Sequence, residues 1–155
     1  SSATVGVFKP RDEEPYAELN PKWTKWLHRQ LCPCLFGRSC LMPNVGYLSE
    51  VGASVVDRHF GLEVVPRTEI VELAAPTFHY SGKYDDGKLP RKVGSFQVFV
   101  DAFRSASDVV PCLELLRLKY PSFDLAFHLE LERLIVLDYI IRNTDRSEDN
   151  CLVHV

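Results

Sequence analysis

The chain is short of the features that would make it easy to classify. No apolar run approaches the ~18–20 residues that cross a bilayer, and the first residues lack the charged-then-apolar pattern of a secretory signal. A chain threaded through a membrane or visibly secreted is therefore not expected. Five cysteines, at positions 32, 34, 40, 112 and 151, are an odd set with no paired spacing. They do not build the disulfide framework of a small secreted domain, so a reducing, cytosolic setting is expected. The formal net charge of -3 supplies no general basic character, which argues against broad nucleic-acid binding through phosphates. Any anionic ligand has to be met by local cations. What remains is an ordinary 155-residue composition, 46% hydrophobic and 25% charged, long enough to bury one sizeable core as one small domain or two lobes.

Along the chain, Val5-Gly6-Val7-Phe8-Lys9 reads as a strand that a proline ends, followed by the acidic loop Asp12-Glu13-Glu14-Pro15. Asn20-Pro21 opens a helix, asparagine as N-cap and proline in the first turn. Trp23, Trp26, Leu27 and Leu31 fall on one of its faces. A second helix is expected over residues 46–60, with Leu48, Val51 and Val55 as its apolar face and Gly61 as its C-cap. Residues 62–65 and 68–73 read as strands around Pro66-Arg67. After a polar loop, Gly94-Ser95-Phe96-Gln97-Val98-Phe99-Val100 reads as a buried strand rich in aromatic and β-branched residues. From Asp101 the pattern turns helical, with interruptions near Pro111 and Pro121. It ends in a segment, 127–142, almost all apolar between 134 and 141, that is expected in the middle of a lobe. Residues 151–155 start a strand.

Directly after that helix stands Asp145-Arg146-Ser147-Glu148-Asp149-Asn150, an aspartate five positions before an asparagine. Alone the spacing says little, because both residues favour turns. Order gives it meaning: a strand lysine, a helix, a strand with a short linker, a helical region, a buried helix, then D-x4-N. Phosphoryl transfer needs a cation on the nucleotide phosphates, a crevice strand for the adenine, and a loop carrying a base and a metal ligand. The chain has a candidate for each, in the sequence of a two-lobed kinase.

The blocks Gly6-Val7-Phe8-Lys9-Pro10, Leu19-Asn20-Pro21-Lys22-Trp23-Thr24-Lys25-Trp26, Gly46-Tyr47-Leu48-Ser49-Glu50, Lys92-Val93-Gly94-Ser95-Phe96-Gln97 and Leu137-Asp138-Tyr139-Ile140-Ile141-Arg142-Asn143-Thr144-Asp145-Arg146 carry a closer likeness. The sequence resembles the type II phosphatidylinositol 4-kinases. The resemblance implies an α+β, two-lobed protein-kinase-like fold of the PI3/PI4-kinase catalytic domain, incomplete at both ends. Residues 1–100 would be a partial N-lobe with a cysteine-rich insertion, and residues 101–155 a partial, helical C-lobe. It further implies an enzyme that moves the ATP γ-phosphate to the 4-hydroxyl of phosphatidylinositol, with ATP and Mg2+ as cofactors. The cytosolic face of trans-Golgi and endosomal membranes, or the plasma membrane, would be its place. Lys9 would hold the phosphates; Phe96, Gln97, Val98, Phe99 and Val100 would line the adenine pocket and hinge; Asp145 would act at the substrate hydroxyl and Asn150 would bind metal. Glu50 is a candidate partner for Lys9, or a surface glutamate.

The family's C-C-P-C-C element is S-palmitoylated, and this chain keeps its inner pair, Cys32 and Cys34. Two acyl chains, or one with a basic apolar patch, suffice for stable anchoring, and Lys22, Lys25 and Arg29 add attraction for anionic headgroups. Against that stand a tryptophan stripe that simply packs into the lobe, and a zinc site from His28, Cys32, Cys34 and Cys40 whose Cys-x-Cys spacing is too short. Departures from the family pattern are Ala17 in place of glycine, a short linker over 77–90, and Ser147-Glu148 where glycine and a small polar residue are expected. They leave a catalytically inactive kinase-like membrane adaptor as the alternative function. A protein kinase fits less well, because Asn143-Thr144-Asp145 replaces the His-Arg-Asp lead-in. The resemblance puts a nucleotide-covering hairpin before Ser1 and a metal-binding aspartate after Val155. Residues 1–155 alone are accordingly expected to transfer little or no phosphate, which a lipid-kinase assay on that purified piece, with Asp145→Ala as the blank, measures directly.

Overall fold

The computed structural model describes residues 3–14, 17–19 and 45–154. The described chain divides into two compact units, residues 1–52 with 67–98 and residues 53–66 with 99–155. The expected helix from Asn20, the tryptophan stripe, Cys32 and Cys34, and the ligands of the zinc alternative lie outside the described residues.

The first unit is organised by a three-stranded antiparallel sheet of β1 (Gly6–Pro10), β2 (Thr68–Leu73) and β3 (Lys92–Val98), with β3 in the middle. Register sets Lys9 opposite Ser95 and Phe8 opposite Phe96, while Ile70 lies opposite Ser95 and Thr68 opposite Gln97. Because successive side chains alternate between faces, Lys9, Ser95, Gln97 and Thr68 share one face, and Phe8 and Phe96 the other. Gly94 is required by proximity: a Cβ there would lie 2.2 Å from the Lys9 carbonyl oxygen. The strand expected to reach Val100 stops at Val98, so Phe99 and Val100 follow the sheet rather than belong to it.

A short turn, Arg11–Glu13, follows β1. It is pinned by Lys92, whose side chain is 6% exposed and whose ammonium lies 2.9 Å from both Asp12 Oδ2 and Glu13 Oε1. The same ammonium donates to the His79 carbonyl and sits over the Tyr80 ring, 4.8 Å from its centroid. Glu13 Oε1 also accepts the His79 N–H at 2.8 Å. One cation thus joins the end of β1, the start of β3 and the loop at 79–80.

Helix α1 (Gly46–Phe60) has the expected bounds and ends on Gly61 at φ 64°. Its buried stripe differs from the apolar one expected. Leu48 and Val55 are exposed, whereas Ser54 and Asp57 are fully buried. Asp57 earns its place by accepting the Val64 N–H at 2.9 Å. That bond, with Glu63 at φ 59°, explains why residues 62–65 form an irregular connection instead of the expected strand.

The second unit contains a two-stranded antiparallel sheet of β4 (Phe103–Ser105) and β5 (Leu152–His154). Sequence periodicity placed residues 103–105 in a helix. Ala102 at φ 62° turns the chain instead, and the Phe103 ring packs on His154 at 5.1 Å. Three helices follow: α2 (Ala106–Val109), α3 (Leu113–Lys119) and α4 (Pro121–Ile141). Pro121 opens α4 at its first turn, where its missing N–H costs nothing. Arg117 of α3 donates to Asp124 of α4 at 2.6 Å. The expectation of a helix buried all round is corrected: Leu137 is buried, but Leu125, Leu129, Ile135 and Tyr139 are exposed. Apolar character buries a helix only where something lies against it, and here α3 and the following loop cover one side.

Burial by itself pushes the Lys92 ammonium down, and hydrogen bonds and attraction from Asp12 and Glu13 reverse this to a net rise. Its contribution to stability is therefore complete below the ordinary lysine value, 10.5, and is lost as pH rises through the raised value. Lys92→Met should cost roughly 3 kcal/mol at pH 7, because two carboxylates keep their places without a cation. Urea unfolding at pH 7 and pH 11 measures both effects, and the variant should show less alkaline loss than the parent.

Candidate functional site

In the first unit, Lys9 and Ser95 face the same side of the sheet and α1 presents Glu50 to both. Lys9 Nζ lies 2.5 Å from Glu50 Oε1, and the Ser95 hydroxyl donates to Glu50 Oε2 at 2.6 Å. Each carboxylate oxygen has its own donor, so the lysine is aimed and not merely neutralised. Ser95 is almost wholly buried, and its role was not singled out from sequence; only its register with Lys9 exposes it. Of the five residues expected at the adenine, Phe96, Gln97 and Val98 lie on β3 beside this pair, with Gln97 Nε2 donating to Thr68 Oγ1 at 3.3 Å. Phe99 and Val100 do not lie on that strand.

In the second unit, the loop that carries Asp145 and Asn150 is held to the helix before it. Helix α4 ends with Arg142 in the left-handed region, φ 53°, a conformation that costs a residue with a Cβ roughly 1–2 kcal/mol. The turn it makes returns the loop over Asp138. Arg146 grips the Asp138 carboxylate with two parallel bonds, Nε to Oδ2 at 2.7 Å and Nη2 to Oδ1 at 2.8 Å. Asn143 Nδ2 adds a third at 2.8 Å. Its own Oδ1 then accepts the Asp145 N–H at 2.9 Å. Asn150 Nδ2 closes the loop on the Asp145 carbonyl at 2.8 Å, and Arg146 Nη1 donates to the Asn150 carbonyl. Asp145 and Asn150, five positions apart, are thus fixed through one carboxylate that neither of them supplies. Ser105 ties the far side, its hydroxyl donating to the Glu148 carbonyl at 3.3 Å. The unusual Glu148 enters this bond through its backbone.

A divalent cation needs oxygen donors. Asn150 spends its amide nitrogen on Asp145, and its Oδ1 accepts no hydrogen bond among the described residues, so it fits as one ligand. Among the described residues there is no group of three or more His, Cys, Asp or Glu side chains able to hold a metal. A full coordination shell is therefore not assembled from them.

A profile of the family described as phosphatidylinositol 3- and 4-kinase matches residues 1–155. The chain belongs to that family. It is 47% identical over 170 residues to the phosphatidylinositol 4-kinase type 2-alpha of Danio rerio, covering 96% of this chain and 38% of that protein. It is 46% identical over 177 residues to the type 2-beta enzyme of Gallus gallus, covering 97% and 36%. The chain therefore spans little more than a third of the length of these kinases. No helix among the described residues is long and apolar enough to cross a membrane.

The hydrogen bond from Arg146 holds the Asp138 carboxyl below its ordinary value of 3.8, burial opposes this, and Asn143 adds to the lowering. The stability it contributes is present above that ordinary value and is lost as pH falls through the lowered one. Between pH 5 and 8 the loop should be indifferent to pH. Asp138→Asn at pH 7 should reproduce the acid state and speed amide exchange at Asp145 roughly 10-fold or more, read by NMR.

Proposed function

We propose that this chain is part of the catalytic domain of a lipid kinase that transfers the ATP γ-phosphate to the 4-hydroxyl of phosphatidylinositol. The observation that carries the reading is the Lys9–Glu50 pair. A strand lysine aimed by a helix glutamate is the arrangement that kinases use on nucleotide phosphates, and here it occurs in a chain close in sequence to type 2 phosphatidylinositol 4-kinases. The finer fold assignment belongs to the same proposal: two kinase-like lobes, residues 1–100 and 101–155.

The roles follow from chemistry. Lys9 meets the negative charge of the phosphates, and residues 96–100 offer backbone groups and apolar surface to adenine. The 4-hydroxyl oxygen forms a bond to the γ-phosphorus while the bond from that phosphorus to the β,γ-bridging oxygen breaks, releasing ADP. Asp145 takes the hydroxyl proton. Mg2+, when bound, would neutralise phosphate charge, and Asn150 Oδ1 would be one of its ligands. The clamp through Asp138 keeps base and ligand in register, which matters because an error near 1 Å costs about 100-fold in rate.

The substrate is a membrane lipid, and Cys32 and Cys34 are the proposed acylation sites that hold the enzyme on the cytosolic face of trans-Golgi, endosomal or plasma membranes. Two chains reach the stability that one lacks.

The test is a lipid-kinase assay on the complete open reading frame with phosphatidylinositol vesicles and ATP-magnesium. Asp145→Ala should lower kcat by roughly 100-fold or more with little change in nucleotide affinity. Cys32→Ser/Cys34→Ser should lose hydroxylamine-sensitive acyl label and membrane partitioning in cells, and unchanged partitioning removes the anchoring role. ATP binding without turnover would favour the inactive adaptor, and the altered Ser147-Glu148 would then be the first positions to restore.

A further inference from the structure

Among the described residues, no neighbouring side chain caps the start of α1. Its first backbone N–H groups have no intrahelical acceptor, and the preceding residue, Val45, has no side-chain oxygen to offer them. The acceptor comes from 32 positions earlier: Glu14 Oε2 accepts the Gly46 N–H at 2.9 Å, and Glu14 Oε1 accepts the Tyr47 N–H. A carboxylate here also faces the positive end of the helix dipole. Gly46 makes the approach possible, since a Cβ on it would sit 2.9 Å from Glu14 Oε2 and 3.0 Å from Glu14 Cδ.

One helical turn beyond Gly46 is Glu50. The two carboxylates act on one rigid element: Glu14 fixes where α1 begins, and Glu50 reaches from it to Lys9 and Ser95. Glu14 itself stands just past the Arg11–Glu13 turn, which Lys92 pins to β3. The path from Lys9 through that turn to Glu14, along α1 to Glu50 and back to Lys9 is a closed circuit within the first unit. We propose that Glu14 is a positioning residue for the Lys9–Glu50 pair, placing α1 so that Glu50 meets the lysine. The value of that pair to a nucleotide rests on the kinase reading above; the circuit does not.

Zero-length cross-linking separates the two. A water-soluble carbodiimide activates a carboxylate, a touching lysine displaces the urea, and an amide forms only where the two groups already meet. In the parent chain, peptide mapping by mass spectrometry should find the Lys9–Glu50 link and the Lys92–Glu13 link. Glu14→Ala should lower the first about 3- to 10-fold relative to the second, in line with the loss of a helix cap. Glu14→Gln, which keeps one acceptor oxygen, should lose less. If the Lys9–Glu50 yield holds its ratio in Glu14→Ala, or if both links fall together, Glu14 only supports the fold and the proposal is wrong. Mg-ATP affinity of the complete open reading frame judges the kinase reading: a full-length protein that binds no nucleotide defeats that reading, while the ratio of links still decides the role of Glu14.

Discussion

A single buried ammonium, that of Lys92, sets the geometry from which the rest of the first unit follows. Taking a lysine out of water is expensive, and the cost is met only when the remaining donors find good acceptors. Lys92 finds two carboxylates, a carbonyl and an aromatic face. Those partners come from the turn after β1 and from the loop at 79–80, so satisfying the ammonium fixes the path of both. Asp12 gives one oxygen to it, and Glu13 shares one oxygen between it and the His79 N–H. Their neighbour Glu14 is left to cap α1, and α1 in turn carries Glu50 to Lys9. The acidic run Asp12-Glu13-Glu14 looks like a solvated loop, yet Asp12 holds the Lys92 ammonium, Glu13 the same ammonium and the His79 N–H, and Glu14 the start of α1.

The second unit repeats the principle with the signs exchanged. Asp138 is the partly buried charge and Arg146 its bidentate partner, with Asn143 filling a remaining lone pair. A planar guanidinium suits this site better than lysine would, because two parallel bonds fix orientation as well as distance. The left-handed Arg142 makes the return possible. Strain at a helix end is tolerated where several bonds overdetermine the conformation, and three side-chain bonds converge on Asp138.

Elements marked by local chemistry were legible in the sequence. Gly46 to Gly61 carries a helix with its terminating glycine, and the lysine strand and the D-x4-N loop stand where their order put them. The failures have a common cause, which is that periodicity reports apolar patterning and not the partners of polar groups. Residues 103–105 fit a helical pattern, but a turn at Ala102 and pairing with residues 152–154, far along the chain, make them a strand. Leu48 and Val55 look like the inner face of α1, yet Ser54 and Asp57 are inside because Asp57 satisfies a backbone N–H seven residues on. Ser95 and Asp138 gave no signal as site residues: nothing local marks a serine opposite a lysine, or a helix aspartate that an arginine eight positions later will hold.

These polar clamps also bear on how precisely a reactive group can be placed. A side chain packed only by apolar contacts can shift by several tenths of an ångström at little cost, because dispersion is shallow and non-directional. Lys9 and Asp145 are exposed, so packing does not constrain them. Lys9 is held instead by a charge-assisted bond, which falls off steeply with distance and angle, and the Asp145 backbone by bonds to the Asn143 and Asn150 amides. Glu50 divides its two oxygens between Lys9 and Ser95, and Asp138 gives both of its oxygens to Arg146 and shares one of them with Asn143. In each case a carboxylate occupies both of its oxygens with fixed partners, and what it holds, the Lys9 ammonium or the backbone of the 143–150 loop, is fixed while staying open to solvent.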